Sequence, residues 1–173
     1  MNFIKRILSI LLVTSAASSC SELTNDGTSG AIPFDPTKMN NEQFIRVFEL
    51  YQPLENNSPI NVGSFAEEFE NNSIVAEEKY SQEAIKVRGK VHSIDKDFTG
   101  EINVILMDPN EIFSIDSVSC NNVTLGTAKT LKKGQIITVY GYVKKNTDFG
   151  VNLAWCYFGE QTPTQQIERL KNT

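Results

Sequence analysis

The sequence predicts a mainly β domain with N-terminal helices, built as a five-stranded Greek-key barrel in the order β-β-β-α-β-β. Three observations predict it. After Ser81 the spacing of apolar residues changes from the 3.6 period of a helix to the period of 2 of a strand. Five strand-like runs then follow, separated by turn signals such as Phe98-Thr99-Gly100-Glu101 and Asp108-Pro109-Asn110-Glu111. Between the third and fourth runs alone lies a short helical or turn segment, residues 124–134.

The chain opens with Lys5 and Arg6, an apolar run at residues 7–13, and small residues up to Ser19. This is the order of a secretory signal peptide. The run is too short to span a bilayer, which takes about 20 residues. Ala17-Ser18-Ser19-Cys20 resembles a bacterial lipobox, with Ala17 where Leu is usual. The resemblance implies cleavage after residue 19, lipid on Cys20 and a membrane as partner through that lipid. Ser21, rather than Asp, follows the cysteine. By similarity to the common sorting rule this favours the outer membrane.

Residues 20–40 are rich in Ser, Thr, Asn, Asp, Gly and Pro and read as a flexible tether. Its mean reach would be roughly 25 Å. Residues 41–63 hold a first helix and a loop. Phe44, Val47, Phe48 and Tyr51 form one apolar stripe, and Pro53 stops the helix. This helix is expected to be dispensable for the barrel. A second helix starts at Ser64, where Ser64 and Glu67 have the spacing of a capping box. Asn71-Asn72-Ser73 weakens its middle, so a kink or split is expected.

Residues 64–158 are expected to form the barrel with this leading helix. In the first strand, residues 84–95, Ile85, Val87, Gly89 and Val91 alternate with Lys86, Arg88, Lys90 and His92. Gly89, and Gly141 in the fourth strand, suggest bulges or tight bends. The remaining strands are read at residues 101–108, 112–120, 135–145 and 151–158. Residues 159–173 are a tail or short helix. Three strands, a short helix and two strands is the order of an OB-fold.

With Cys20 set aside, Cys120 and Cys156 remain, an even pair that suggests a disulfide in an oxidising compartment. Two buried thiols are the rival reading. In such a barrel the third and fifth strands lie side by side. Strict alternation, however, puts Cys156 on the face opposite Leu153 and Trp155, so a bulge is needed to bring it round.

The helix with its Ala76…Tyr80 end, the Val87-x-Gly89-x-Val91 strand, and the runs Leu131-Lys132-Lys133-Gly134-Gln135 and Val139-Tyr140-Gly141 together resemble the tRNA-anti-like family, as do the two cysteines. The resemblance spans about residues 64–158. It implies an OB-fold and export; it brings no activity and no catalytic residues.

The net charge is −5. Residues 20–83 carry twelve acids against three bases, Lys38, Arg46 and Lys79. That balance argues against non-specific nucleic-acid binding, which rests on phosphate neutralisation by Lys and Arg. The single histidine, His92, lies on the polar face of a strand, and no metal-ligand spacing occurs. No catalytic residue, metal or cofactor is expected. One constellation rises above background: Lys86, Arg88 and Lys90 share one strand face. Asn103, Ile105 and Met107 of the second strand and Phe113 of the third are expected beside them. This face could hold an anionic glycan or peptide, or the glutamates of the preceding helix could cover it. The sequence thus points to a lipid-anchored, non-enzymatic binding or scaffold module of the cell envelope. The alternatives are the anionic-ligand binder and a structural protein docking through its first helix.

Overall fold

In the computed structural model, residues 32, 34–110, 117–144 and 150–173 are described. The signal segment, Cys20 and Phe113 lie outside them. Among the described residues no helix is long and apolar enough to cross a membrane.

Helix α1 spans Asn41–Tyr51, opened by a capping box between Asn40 and Gln43. It gives way to a 3-10 turn, Gln52–Leu54, that carries Pro53. A two-residue strand, β1 at Ile60–Asn61, pairs parallel with Val87 and Arg88, where the sequence predicts only a loop. Helix α2 covers Val62–Asn71. Its cap is Asn61, whose side chain accepts from Gly63 N at 2.7 Å, so the helix begins ahead of the Ser64 signal. The expected split occurs at Asn72, which caps α3, Ser73–Tyr80, through Val75 N. Glu68 ties the two helices, accepting from Lys79 Nζ at 2.7 Å and Tyr80 Oη at 3.0 Å.

The strands are β2 (Ala84–Lys96), β3 (Ile102–Met107), β4 (Ser117–Cys120), β5 (Ile136–Val143) and β6 (Val151–Tyr157). Helix α4, Leu125–Thr130, lies between β4 and β5, and α5, Pro163–Lys171, follows β6. The sheet order is β1-β2-β3-β4-β6-β5, with β2 also pairing β5. Strands β2 to β6 therefore close into the OB barrel, with β4 and β6 parallel.

Val87, Val91, Val104, Leu106, Val118, Val139 and Leu153 fill the barrel, and Phe65, Phe69 and Tyr80 of α2 and α3 pack against one another beside it. Gly89 and Gly141 face this interior. A Cβ on Gly89 would meet Val62 Cγ2 at 2.6 Å, and one on Gly141 would meet Leu153 Cδ1 at 2.8 Å. Both are closely packed; the register shift in β2 falls not at Gly89 but between Val91 and Ser93, at His92, whereas Gly141 does lie at the β5–β6 shift, between Tyr140 and Tyr142.

A second core lies outside the barrel. Val47, Phe48 and Tyr51 of α1 and Ile167 of α5 pack on Tyr140, Tyr142, Ala154 and Trp155, the outward residues of β5 and β6. Ile32 joins them at 1% exposure, and Phe34 stacks on Trp155 at 4.8 Å. The stretch read as a tether therefore contributes its last residues to the folded body. Helix α1 is likewise no appendage: without it the outer side of β5 and β6 would lie bare, with each large side chain costing about 1.5–3 kcal/mol to expose.

The expected bulge is present in β6. Tyr140 pairs with Tyr157 but Tyr142 with Ala154, so β6 has one residue more. Ala154 and Trp155 both face the outer core, which corrects the inward placement of Trp155. Cys156 is thereby returned toward the barrel, and it is bonded to Cys120 with a Cα separation of 5.8 Å. Trp155 takes φ +50°, a left-handed conformation that costs a non-glycine residue about 1–2 kcal/mol. The buried Tyr51 hydroxyl donates to the Trp155 carbonyl at 2.9 Å and holds it there. Burial also pushes the Tyr51 phenol well above its ordinary pKa, so the proton stays on this donor.

Candidate ligand face

Strand β2 serves two neighbours. Ala84 to Lys90 pairs with β5, and Lys90 to Lys96 pairs with β3. Lys86, Arg88 and Lys90 thus stand opposite Tyr140, Thr138 and Ile136. Asn103 and Ile105 stand opposite Asp95 and Ser93, away from the basic row. Met107 alone reaches the row, across from Lys90, and it is buried. The face expected from the sequence is therefore divided: β5, not β3, flanks the cations.

Lys86 is engaged by neither of the expected partners. Its Nζ donates to the carbonyls of Leu54, Glu55 and Asn57 at 3.4, 2.8 and 2.8 Å. It also lies 5.4 Å from the Tyr140 ring centroid. These carbonyls end the turn after α1, where a cation is favoured. Lys86 thus fastens α1 to the barrel, with three acceptors on its three protons. Hydrogen bonds to a charged donor contribute about 1.5–3 kcal/mol, so Lys86→Met is expected to lose about that much stability in urea unfolding. An unchanged midpoint would show that these contacts contribute nothing.

Arg88 is exposed. Lys90 Nζ donates to Pro109 O at 3.4 Å. The turn before β5 joins this end of the row. Gly134 N donates to Val91 O at 2.7 Å, and Val91 N to Gln135 O at 2.8 Å. Lys132 and Lys133, both exposed, are carried on that turn. A groove of about 680 Å³ runs along the outer side of β5, between Ile136, Thr138 and Tyr140 and the segment from Phe158 to Thr162. The pleat of a strand puts Ile136, Thr138 and Tyr140 on one face, but the apolar pattern of residues 135–145 does not say which face is outward, and partners for the basic row were sought only on the following strand.

On the other side of the barrel, Asn103 Nδ2 reaches Asp97 Oδ2 at 3.5 Å, and Asn103 Oδ1 is buried without a hydrogen-bond partner. Asp97 Oδ1 accepts from the Thr99 hydroxyl at 2.6 Å and from the backbone N–H groups of Thr99 and Glu101. The Thr99 hydroxyl, above all, holds the Asp97 carboxyl below its ordinary pKa. This turn leaves Phe98 fully exposed at its tip. His92 is exposed at the β2 bulge. Among the described residues no three His, Cys, Asp or Glu side chains stand together as a metal site.

A crystal structure from Klebsiella pneumoniae, described as a "putative nucleic acid-binding lipoprotein", shares the fold at a TM-score of 0.52 and 21% identity. The match covers 60% of this chain and 92% of that one. No curated protein matches the sequence. The pattern of the tRNA_anti-like family matches residues 1–155, which takes in β1 to β5, the first part of β6, Cys120 and the Leu131–Gln135 turn. The chain belongs to the tRNA_anti-like family.

Proposed function

We propose that the protein is an exported lipoprotein, held to a membrane by lipid on Cys20, that presents its OB barrel as a non-enzymatic binding module. The observation that carries this reading is the Cys120–Cys156 disulfide. Structural disulfides persist in oxidising compartments and are rare in the cytosol. Joined to a signal-like leader ending in a lipobox-like Ala17-Ser18-Ser19-Cys20, the bridge supports export. Ser21 favours the outer membrane as the destination. A lipid anchor needs more than one acyl chain to be stable, at about 0.8 kcal/mol per buried methylene.

A role in nucleic-acid binding, which the name of the Klebsiella protein carries, gains little from this chain. The net charge is −5, and Lys86 of the basic row is already engaged. Docking to an assembly through the first helix is the weaker alternative, since the apolar face of α1 is spent on β5 and β6.

Cells fed a radiolabelled fatty acid are expected to label the parent chain and not Cys20→Ser, which should accumulate as precursor or be released. Equal labelling of both would end the anchor reading.

A further inference from the structure

The β5–β6 hairpin is incomplete. Strand β6 pairs with β5 from Val143 back to Tyr140, and no further. Beyond Tyr157 the chain turns away toward α5, with Phe158 packed against the barrel core. The first half of β5 therefore has β2 on one side and the 680 Å³ groove on the other. The direction of its backbone groups follows from the ladder. Val143 N donates toward β2, to Glu83 O, whereas Lys144 N donates toward β6, to Asn152 O. Successive residues alternate sides, so Ile137 and Val139 bond to β2, and the N–H and C=O groups of Ile136 and Thr138 face the groove. Among the described residues they have no partner there. The surroundings are basic: Arg88 lies opposite Thr138, and Lys132 and Lys133 sit on the turn leading into Ile136, against Glu160 on the far wall.

We propose that the Ile136–Thr138 edge of β5 binds an extended acidic peptide by strand addition. Main-chain hydrogen bonds to Ile136 and Thr138 hold it, and Arg88, Lys132 and Lys133 select acidic residues at alternate positions. An anionic glycan lacks the alternating N–H and C=O groups this edge calls for. The inference rests on the binding-module reading and gives that module a partner class; it does not depend on the anchor.

The test selects a displayed library of random octapeptides against the full chain in detergent, with the Thr138→Pro chain as the parallel bait. Proline removes the groove-facing N–H and leaves the β2 ladder intact, since Thr138 does not donate to β2. A thermal melt of both chains checks folding. The expected result is enrichment of peptides with Asp or Glu at every second position. These should bind at least tenfold more weakly to Thr138→Pro, and to Arg88→Glu should Thr138→Pro melt early. Lack of enrichment, equal binding to all three chains, or self-association through this edge would overturn the proposal. Each of these outcomes is read apart from fatty-acid labelling, so loss of the peptide and loss of the anchor are distinguishable.

Discussion

Changing Cys120 and Cys156 together to alanine is expected to lower the melting temperature by roughly 8–16 °C, on a scale of about 2–4 °C per kcal/mol for a domain of this size. The bridge closes a loop with a sequence separation of 36 residues. In the chain-entropy picture such a constraint on the unfolded chain stabilises by about 4 kcal/mol. That is a large part of a net stability of about 5–15 kcal/mol. The bond also joins β4 to β6 immediately beside Trp155, whose left-handed backbone must be held against an unfavourable conformation. Calorimetry of the parent with and without dithiothreitol makes the same comparison without substitution. Identical melting of oxidised, reduced and doubly substituted protein would show the bridge to be thermodynamically idle. Two titratable thiols in denatured, unreduced protein made in an oxidising periplasm would show that it does not form.

Tyr51→Ala is expected to cost about 3–5 kcal/mol, the range for emptying the site of a large buried aromatic. Tyr51 is fully buried, lies against Tyr140 at a centroid distance of 5.7 Å, and meets Phe48 edge-on. Tyr51→Phe separates the ring from its hydroxyl. It keeps the packing and strands the Trp155 carbonyl, which should cost about 1–3 kcal/mol. If the phenylalanine variant melts like the parent, the hydroxyl does not hold the bulge. If the alanine variant does so as well, α1 is not part of the cooperative unit.

These two results bear on what could be read from residues alone. The inward positions of β2, with Ile85, Val87 and Val91 buried, followed from alternation because one face had to be apolar. The stripe on α1 was equally visible, but a stripe states that a helix is covered, not by what. Its cover is the outer side of β5, a strand that reads as buried on both faces and so shows no clean alternation. Trp155 was misplaced because one extra residue inverts every position after it, and nothing in Ala154-Trp155-Cys156 marks where the insertion falls. Strand β1 escaped notice because two residues carry no period. The basic row was correctly placed on one face, yet its neighbours were not. Which strand stands beside Lys86 depends on β2 running for 13 residues and changing partners at Lys90, a matter of closure rather than of local pattern. Lys86 found its acceptors 29 to 32 positions earlier in the chain, in carbonyls that any sequence would supply.

The outer core has a mechanical consequence. The first described residue, Ile32, and the last helix, α5, are both buried in that layer, outside the barrel. Helix α5 is also tied to the turn after α1: Gln52 Nε2 donates to Thr164 Oγ1 at 3.0 Å, and the Thr164 N–H donates to the Glu55 carboxylate. Tension applied on the N-terminal or C-terminal side of these residues therefore meets the outer layer, and the outward residues of β5 and β6 under it, before the barrel interior. Lys86 and the Tyr51 hydroxyl are rivets between that layer and the barrel, and the Phe34–Trp155 stack is where a pull from the N-terminal side first arrives. The layer is expected to give way before the strands beneath it, two of which are locked together by the disulfide.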